Sequence, residues 1–175
     1  VTVRRESWRA NEHQAVRSAL EKTNRCRGPQ RHPVIVRPGA FEFVYLEAEF
    51  ALEAGRRSEP ICQAVEAALG LVVDGSDTDP PGRGLFSLDR RRFGMREYAT
   101  RVTATIQNVD GVAWANLKAL QGVGDSFSVP LTPALLDTVP CPNDRVLRLE
   151  SPIGEEALRL EVVVADPGSG GDDEC

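Results

Sequence analysis

Two histidines (His13, His32), four cysteines (Cys26, Cys62, Cys141, Cys175) and a row of carboxylates (Glu47, Glu49, Glu53) are the groups in this 175-residue chain whose types could do chemistry. Nucleophilic catalysis needs a nucleophile, a base within hydrogen-bond reach and a third group that orients the base. His13 falls on the polar side of a helical pattern and His32 in a Pro-rich connector, so neither ring is placed to serve as that base. Cys26 and His32 are near neighbours, but the spacings do not form the paired knuckles of a zinc site. Cysteines without CxxC spacing or secretory context are expected as reduced thiols. Carboxylates two apart on a strand could do acid–base work or bind a cation, but a solvated or partner-facing sheet surface accounts for them more simply.

The glycine-rich pieces GRGLF and GVGD lack the lysine and hydroxyl, or the full spacing, that would cradle a phosphate, and read as turns. Arg90, Arg91 and Arg92 could grip an acidic partner; three adjacent arginines in an acidic chain read as a solvated surface or an intersubunit salt-bridge set. No catalytic residue, cofactor or metal is therefore expected, and the chain does not read as an enzyme.

With 26 acidic against 21 basic residues and a net charge of -5, nucleic acid is not the expected partner. No apolar run spans a bilayer and VTVRRESWRANEHQ has no signal-peptide core, so a cytoplasmic protein without membrane contact is expected.

The elements that must position these groups follow from periodicity. Trp8, Glu12, Val16, Ala19 and Leu20 give a helical stripe, with Asn11 and Gln14 in capping-box form, predicting a first helix of about three turns. Gly28, Pro29 and Pro33 then mark a connector. The alternation in FEFVYLEAEFALE predicts a strand over 41–53 with one buried face. Ser58 is placed as N-cap of a helix carrying Ile61, Cys62, Val65, Ala68 and Leu69 and stopped by Gly70. Residues 74–84 read as a surface loop.

A further helix is expected from near Gly94, with Met95, Tyr98, Ala99, Val102, Ile106 and Val109 on its core face. Asp110-Gly111 turns the chain into a strand over 112–120, on which Trp114 and Leu117 should take opposite faces, one in the core and one toward a subunit interface. Val146–Glu150 and Leu158–Val164 read as a C-terminal β-hairpin, whose edge residues Leu158, Leu160 and Val162 could be completed by another subunit. The tail DPGSGGDDEC reads as flexible and acidic.

The expected fold class is α+β: a two-layer sandwich with helices packed on a mixed or mainly antiparallel sheet, plus the hairpin. The expected division is a helical segment over 1–28, the sandwich over 29–125, a strand extension over 126–166 and the tail over 167–175.

The sequence from RHPVIVRPGAFEFVYLEAEFALEAGRR, through the helix ending AALG, to RRFGMREYATRVTATIQNVDGVAWANLKAL resembles the C-terminal region of the baseplate J family. The pieces that carry it are His32, the 41–53 strand, Ala68-Leu69, Phe93-Gly94 and the turn from Val109 to Val112; CPNDRVLRLESPIGEEALRLEVVV resembles closing strands of that group. The Gly-Trp usual before the Phe-Gly step is absent, GLFSLDRRRFG standing there instead, as is the family's large N-terminal part. The resemblance implies a structural wedge component of a contractile tail or phage-like injection system. Such a subunit dimerises or heterodimerises with a paralogue, repeats in a six-fold baseplate, and meets hub and sheath-proximal proteins. A small adaptor module with no place in a tail is the alternative. On either reading Arg90, Arg91, Arg92, Trp114, Leu117, Leu158, Leu160 and Val162 are the interface candidates.

Overall fold

β1 (Ala40–Leu52) forms as a long strand because its apolar residues alternate, and it is the central strand of the main sheet. The computed structural model describes residues 2–26, 39–73, 84–151, 156–163 and 173–174. The connector over 27–38, the loop over 74–83, residues 152–155 and most of the tail, on which several expectations fall, lie outside them.

The chain divides into two units, Val1–Gly39 and Ala40–Cys175. The first holds α1 (Thr2–Arg25), a helix of 24 residues that starts well before the expected capping box at Asn11. Its last turns are held by an Arg17–Glu21 ion pair at 3.0 Å and by Thr23 Oγ1, which donates to the Ala19 carbonyl. Val16 and Leu20 are exposed on it.

In the second unit α2 (Ser58–Leu69) begins one residue earlier than the sequence suggests, with Arg57 rather than Ser58 at the cap, and buries Ile61, Cys62, Val65 and Leu69. Gly70 ends it in the left-handed region at φ 79°. A side chain at Gly84 would put its Cβ 2.3 Å from the Gly70 Cα, so the two glycines let the chain close on the helix end. There the N–H groups of Leu85 and Phe86 donate to the Ala68 and Leu69 carbonyls, satisfying helix-end acceptors.

After the short β2 (Val72–Val73) and β3 (Glu97–Tyr98), α3 runs over Ala99–Gln107. It starts five residues later than the Gly94 expectation. Gly94 is in a turn, its N–H donating to the Arg145 carbonyl, and Glu97–Tyr98 pairs with β5 (Thr138–Val139), so tertiary hydrogen bonds hold those residues extended. Val102 and Ile106 are fully buried, as their spacing predicts.

The Asp110-Gly111 turn leads into β4 (Val112–Gly124), antiparallel to β1 from Leu52↔Val112 to Phe43↔Gly124. β4 continues to Gly124, through the first three residues of GVGD, which is expected from the sequence as a turn. Ala115 and Leu117 point into the core while Trp114, Asn116 and Lys118 are exposed.

β6 (Arg145–Arg148) and β8 (Leu158–Val163) do not form the expected hairpin. Each pairs with β1, in parallel, β6 along Ala40–Phe43 and β8 along Leu46–Ala51. β7 (Glu150–Ser151), between them, pairs with β2 instead. Their apolar residues are better buried beside the central strand than on a two-stranded ribbon, which is marginal alone. Nor is β8 an open edge across Glu161 and Val162, because β9 (Asp173–Glu174) of the same chain pairs with it. That part of the acidic tail is therefore a strand.

The result is an α+β fold whose main sheet runs β4-β1-β8-β9, with β6 beside the start of β1. Val44, Leu46, Ala48 and Phe50 meet α2, α3, Ala115, Leu117, Leu160 and Val162 in one apolar cluster. Glu47, Glu49, Asn116, Lys118, Arg159 and Glu161 mark the opposite face by their alternation and register.

Candidate functional site

The carboxylates of β1 are engaged with their neighbours rather than gathered in a pocket. Glu49 accepts from Asn116 Nδ2 at 2.8 Å and pairs with Lys118 at 2.7 Å, contacts that hold its carboxyl below the usual carboxylate range. Glu53 pairs with Arg56 at 3.5 Å. Among the described residues no group of three potential ligands could hold a metal ion. Cys141 is half-buried and its Sγ donates to the Arg145 carbonyl at 3.1 Å; burial pushes the thiol's pKa up, away from a reactive thiolate. Cys26 is free and exposed. Cys62 is disulfide-bonded, correcting the expectation of a reduced thiol at that position, while Cys26 and Cys141 are free as expected. Scattered spacings carry no record of which sulfurs the fold brings together.

The arginine triplet separates. Arg90 and Arg92 are exposed, but Arg91 is buried, and its guanidinium donates to the Glu97 carboxylate and to the Met95 carbonyl. Both side chains are completely enclosed. The Phe86 ring lies 5.6 Å from the guanidinium, and the Tyr98 N–H donates to the other Glu97 oxygen at 3.0 Å. Burial pulls the Arg91 pKa down while the Glu97 carboxylate opposes it. Arg91 is thus an internal tie, not a surface contact, because Glu97 six residues on outcompetes water for it. A second buried pair, Arg148–Glu150, has Phe41 stacked 4.7 Å from the guanidinium, and Arg148 Nη2 has no hydrogen-bond partner.

Of the remaining interface candidates, Trp114 is 40% exposed and Leu117 5%, so they do take opposite faces. Leu160 and Val162 are core residues, which removes them as a contact surface, and Leu158 is half-buried against the same core.

The surface suited to contact lies after β4. Residues 126–136, SFSVPLTPALL, contain no charge, and Val129, Leu131, Leu135 and Leu136 are all exposed, Leu131 completely. The sequence signal was available: eleven uncharged residues with four large aliphatics in a chain that is 27% charged. Ala134–Leu136 runs beside the outer edge of β4, where the Leu120 N–H donates to the Ala134 carbonyl and the Leu136 N–H to the Leu120 carbonyl. Next to it a cavity of about 310 Å³ opens between α3 and β4, walled by Ala99, Thr100, Thr103, Ala104 and Gln107 and floored by Asn116 and Leu117, with Leu135 at one end. None of these groups ionises, so the site can bind and orient but has no proton to move.

Compared with known protein families and with curated proteins, the chain matches none. Among the described residues no helix is long and apolar enough to cross a membrane.

Proposed function

We propose that this chain acts by binding other proteins, as a structural wedge component of a contractile-tail or phage-like injection-system baseplate, and not by catalysis. The observation that carries the binding part is the exposed, uncharged stretch over 126–136, since contiguous apolar surface on a soluble domain marks a contact that a partner covers. The baseplate assignment rests on the motif resemblance alone; His32 lies outside the described residues, and the other motif positions are on β1, the end of α2, the turn before α3 and the turn into β4. On this reading the partners are other wedge subunits, identical or paralogous, with hub and sheath-proximal proteins in a six-fold particle. The Cys62 disulfide suits a chain that meets an oxidising milieu, as a released particle does, better than one kept in a reducing cytoplasm.

The adaptor reading draws on a different observation: the α3–β4 cavity, about 310 Å³ and lined without charge, lies at the small end of the range of ligand pockets. The experiment for the wedge reading is co-purification with the tail proteins encoded beside this chain, comparing the natural sequence with a Leu131→Asp/Leu136→Asp variant. Capture by the former and loss in the latter, with both folded, supports it. Equal capture by both removes the apolar stretch as the contact, and capture by neither removes the wedge reading.

A further inference from the structure

We infer that the outer edge of β4 is a strand-addition site, built to take an extended, uncharged segment of a partner protein between the edge and α3. The inference rests on the protein-binding reading above and specifies the form of one contact.

The hydrogen-bond pattern fixes which backbone groups face outward. Leu120 directs both its N–H and its carbonyl away from β1, toward Ala134 and Leu136. The pairing slips by one residue between Glu47↔Ala119 and Ala48↔Leu117, so beyond the slip the outward residues are Leu117 and Ala115. The Ala115 carbonyl does face outward, since it accepts from Gln107 Nε2 on α3 at 3.4 Å. By this register the Ala115 N–H and both Leu117 backbone groups face away from β1 with no partner among the described residues, and Leu117 lines the cavity. Ala115 and Leu117 are only 8% and 5% exposed, their side chains being in the core, and their outward backbone groups form the unpaired row of an edge strand that a further strand can bond. An extended main chain is the ligand that offers donors and acceptors at that repeat.

The chain itself shows how the edge is filled. Ala134–Leu136 already lies along β4 at Leu120 as a parallel partner. Continued backward, that segment would cover Leu117 and Ala115, but Pro133 and Pro130 have no N–H to donate and fully exposed Leu131 marks where the chain has left the sheet. The prolines end the chain's own pairing at the point where the cavity opens. The cavity's chemistry selects the occupant: methyl and hydroxyl groups of Ala99, Thr100, Thr103 and Ala104 on the helix wall, and no charge anywhere. A side chain facing α3 must therefore be small or apolar. A second copy's β4 is a poorer fit, because it would bring its own α3 to the same face of the sheet, where the first α3 already forms the wall.

The test uses the full chain and a nine-residue peptide copying residues 128–136 with Pro130→Ala and Pro133→Ala, carrying a charged solubilising tag. The expected result is saturable binding with a dissociation constant below roughly 100 µM, with slowed amide exchange at Ala115 and Leu117. Ala104→Arg, which fills the cavity from an exposed helix position, should leave the melt unchanged and weaken binding at least about tenfold. The same peptide methylated on alternate amide nitrogens should not bind. Absence of binding by the unmethylated peptide, or binding that ignores Ala104→Arg, overturns the inference. So does exchange at Ala115 and Leu117 that is already slow and quickens on dilution, which would place a second copy at the edge. A chain that fails with the peptide yet still co-purifies with tail proteins loses this inference and keeps the protein-binding reading.

Discussion

Neutralising Glu97 should cost this protein more than any exposed charge change. Its carboxylate and the Arg91 guanidinium are both fully enclosed, and Arg91 Nε already lacks a partner, so Glu97→Gln leaves a buried cation with little beyond the Met95 carbonyl to hold it. Breaking a buried pair from one side costs about 3–5 kcal/mol, which in a domain of this size lowers Tm by roughly 10 °C. Arg91→Met removes the other side and should cost less, about 2–3 kcal/mol. The remaining carboxylate keeps the Tyr98 N–H and lies 3.8 Å from half-exposed Arg101. The double variant Arg91→Met/Glu97→Gln has no buried charge and should lose only about 1–2 kcal/mol, giving a strong coupling between the two sites. Urea melts of the four proteins, fitted with a common m-value, measure this cycle. A double variant whose loss equals the sum of the two single losses would refute the reasoning, as would a Glu97→Gln variant that melts like the natural chain.

Other consequences are simpler to check. Val102→Asp or Ile106→Asp puts an unpaired charge among fully buried apolar residues and should leave little folded protein by circular dichroism; unchanged melting would refute the α3 core face. Burial raises the Glu66 carboxyl pKa. Stability from a raised group is present below the unfolded pKa and lost as pH rises through the folded one, so Glu66→Gln should raise Tm at pH 7 and give no gain near about pH 3. Iodoacetamide at neutral pH should modify exposed Cys26 well before Cys141, which is half-buried with a raised pKa; mass spectrometry of a time course reads the order.

What could be read from the sequence was local. The alternation in β1, the Gly70 stop, the Asp110-Gly111 turn and the Val102–Ile106 spacing each record a choice made within a few residues, and each matches the structure. Partner choice was not legible. β8 finds Leu46–Ala51 across more than a hundred residues, and nothing in LRLEVV distinguishes a parallel place beside β1 from one half of a hairpin. The same limit hid the Arg91–Glu97 tie, since an arginine triplet reads as surface until the fold encloses its middle member. The β4 edge was hidden too, because its openness depends on where the 126–136 segment leaves the sheet. The β8 edge, which the sequence offers to another subunit, is covered across Glu161 and Val162 by the chain's own β9.

The most direct measurement of the central claim is size-exclusion chromatography with light scattering, on the chain alone and mixed with the proteins encoded beside it. The account predicts a stable mixed complex of defined stoichiometry that Leu131→Asp/Leu136→Asp dissolves without unfolding the chain. A chain that elutes unchanged in mass with every neighbour, at concentrations well above about 10 µM, would contradict it.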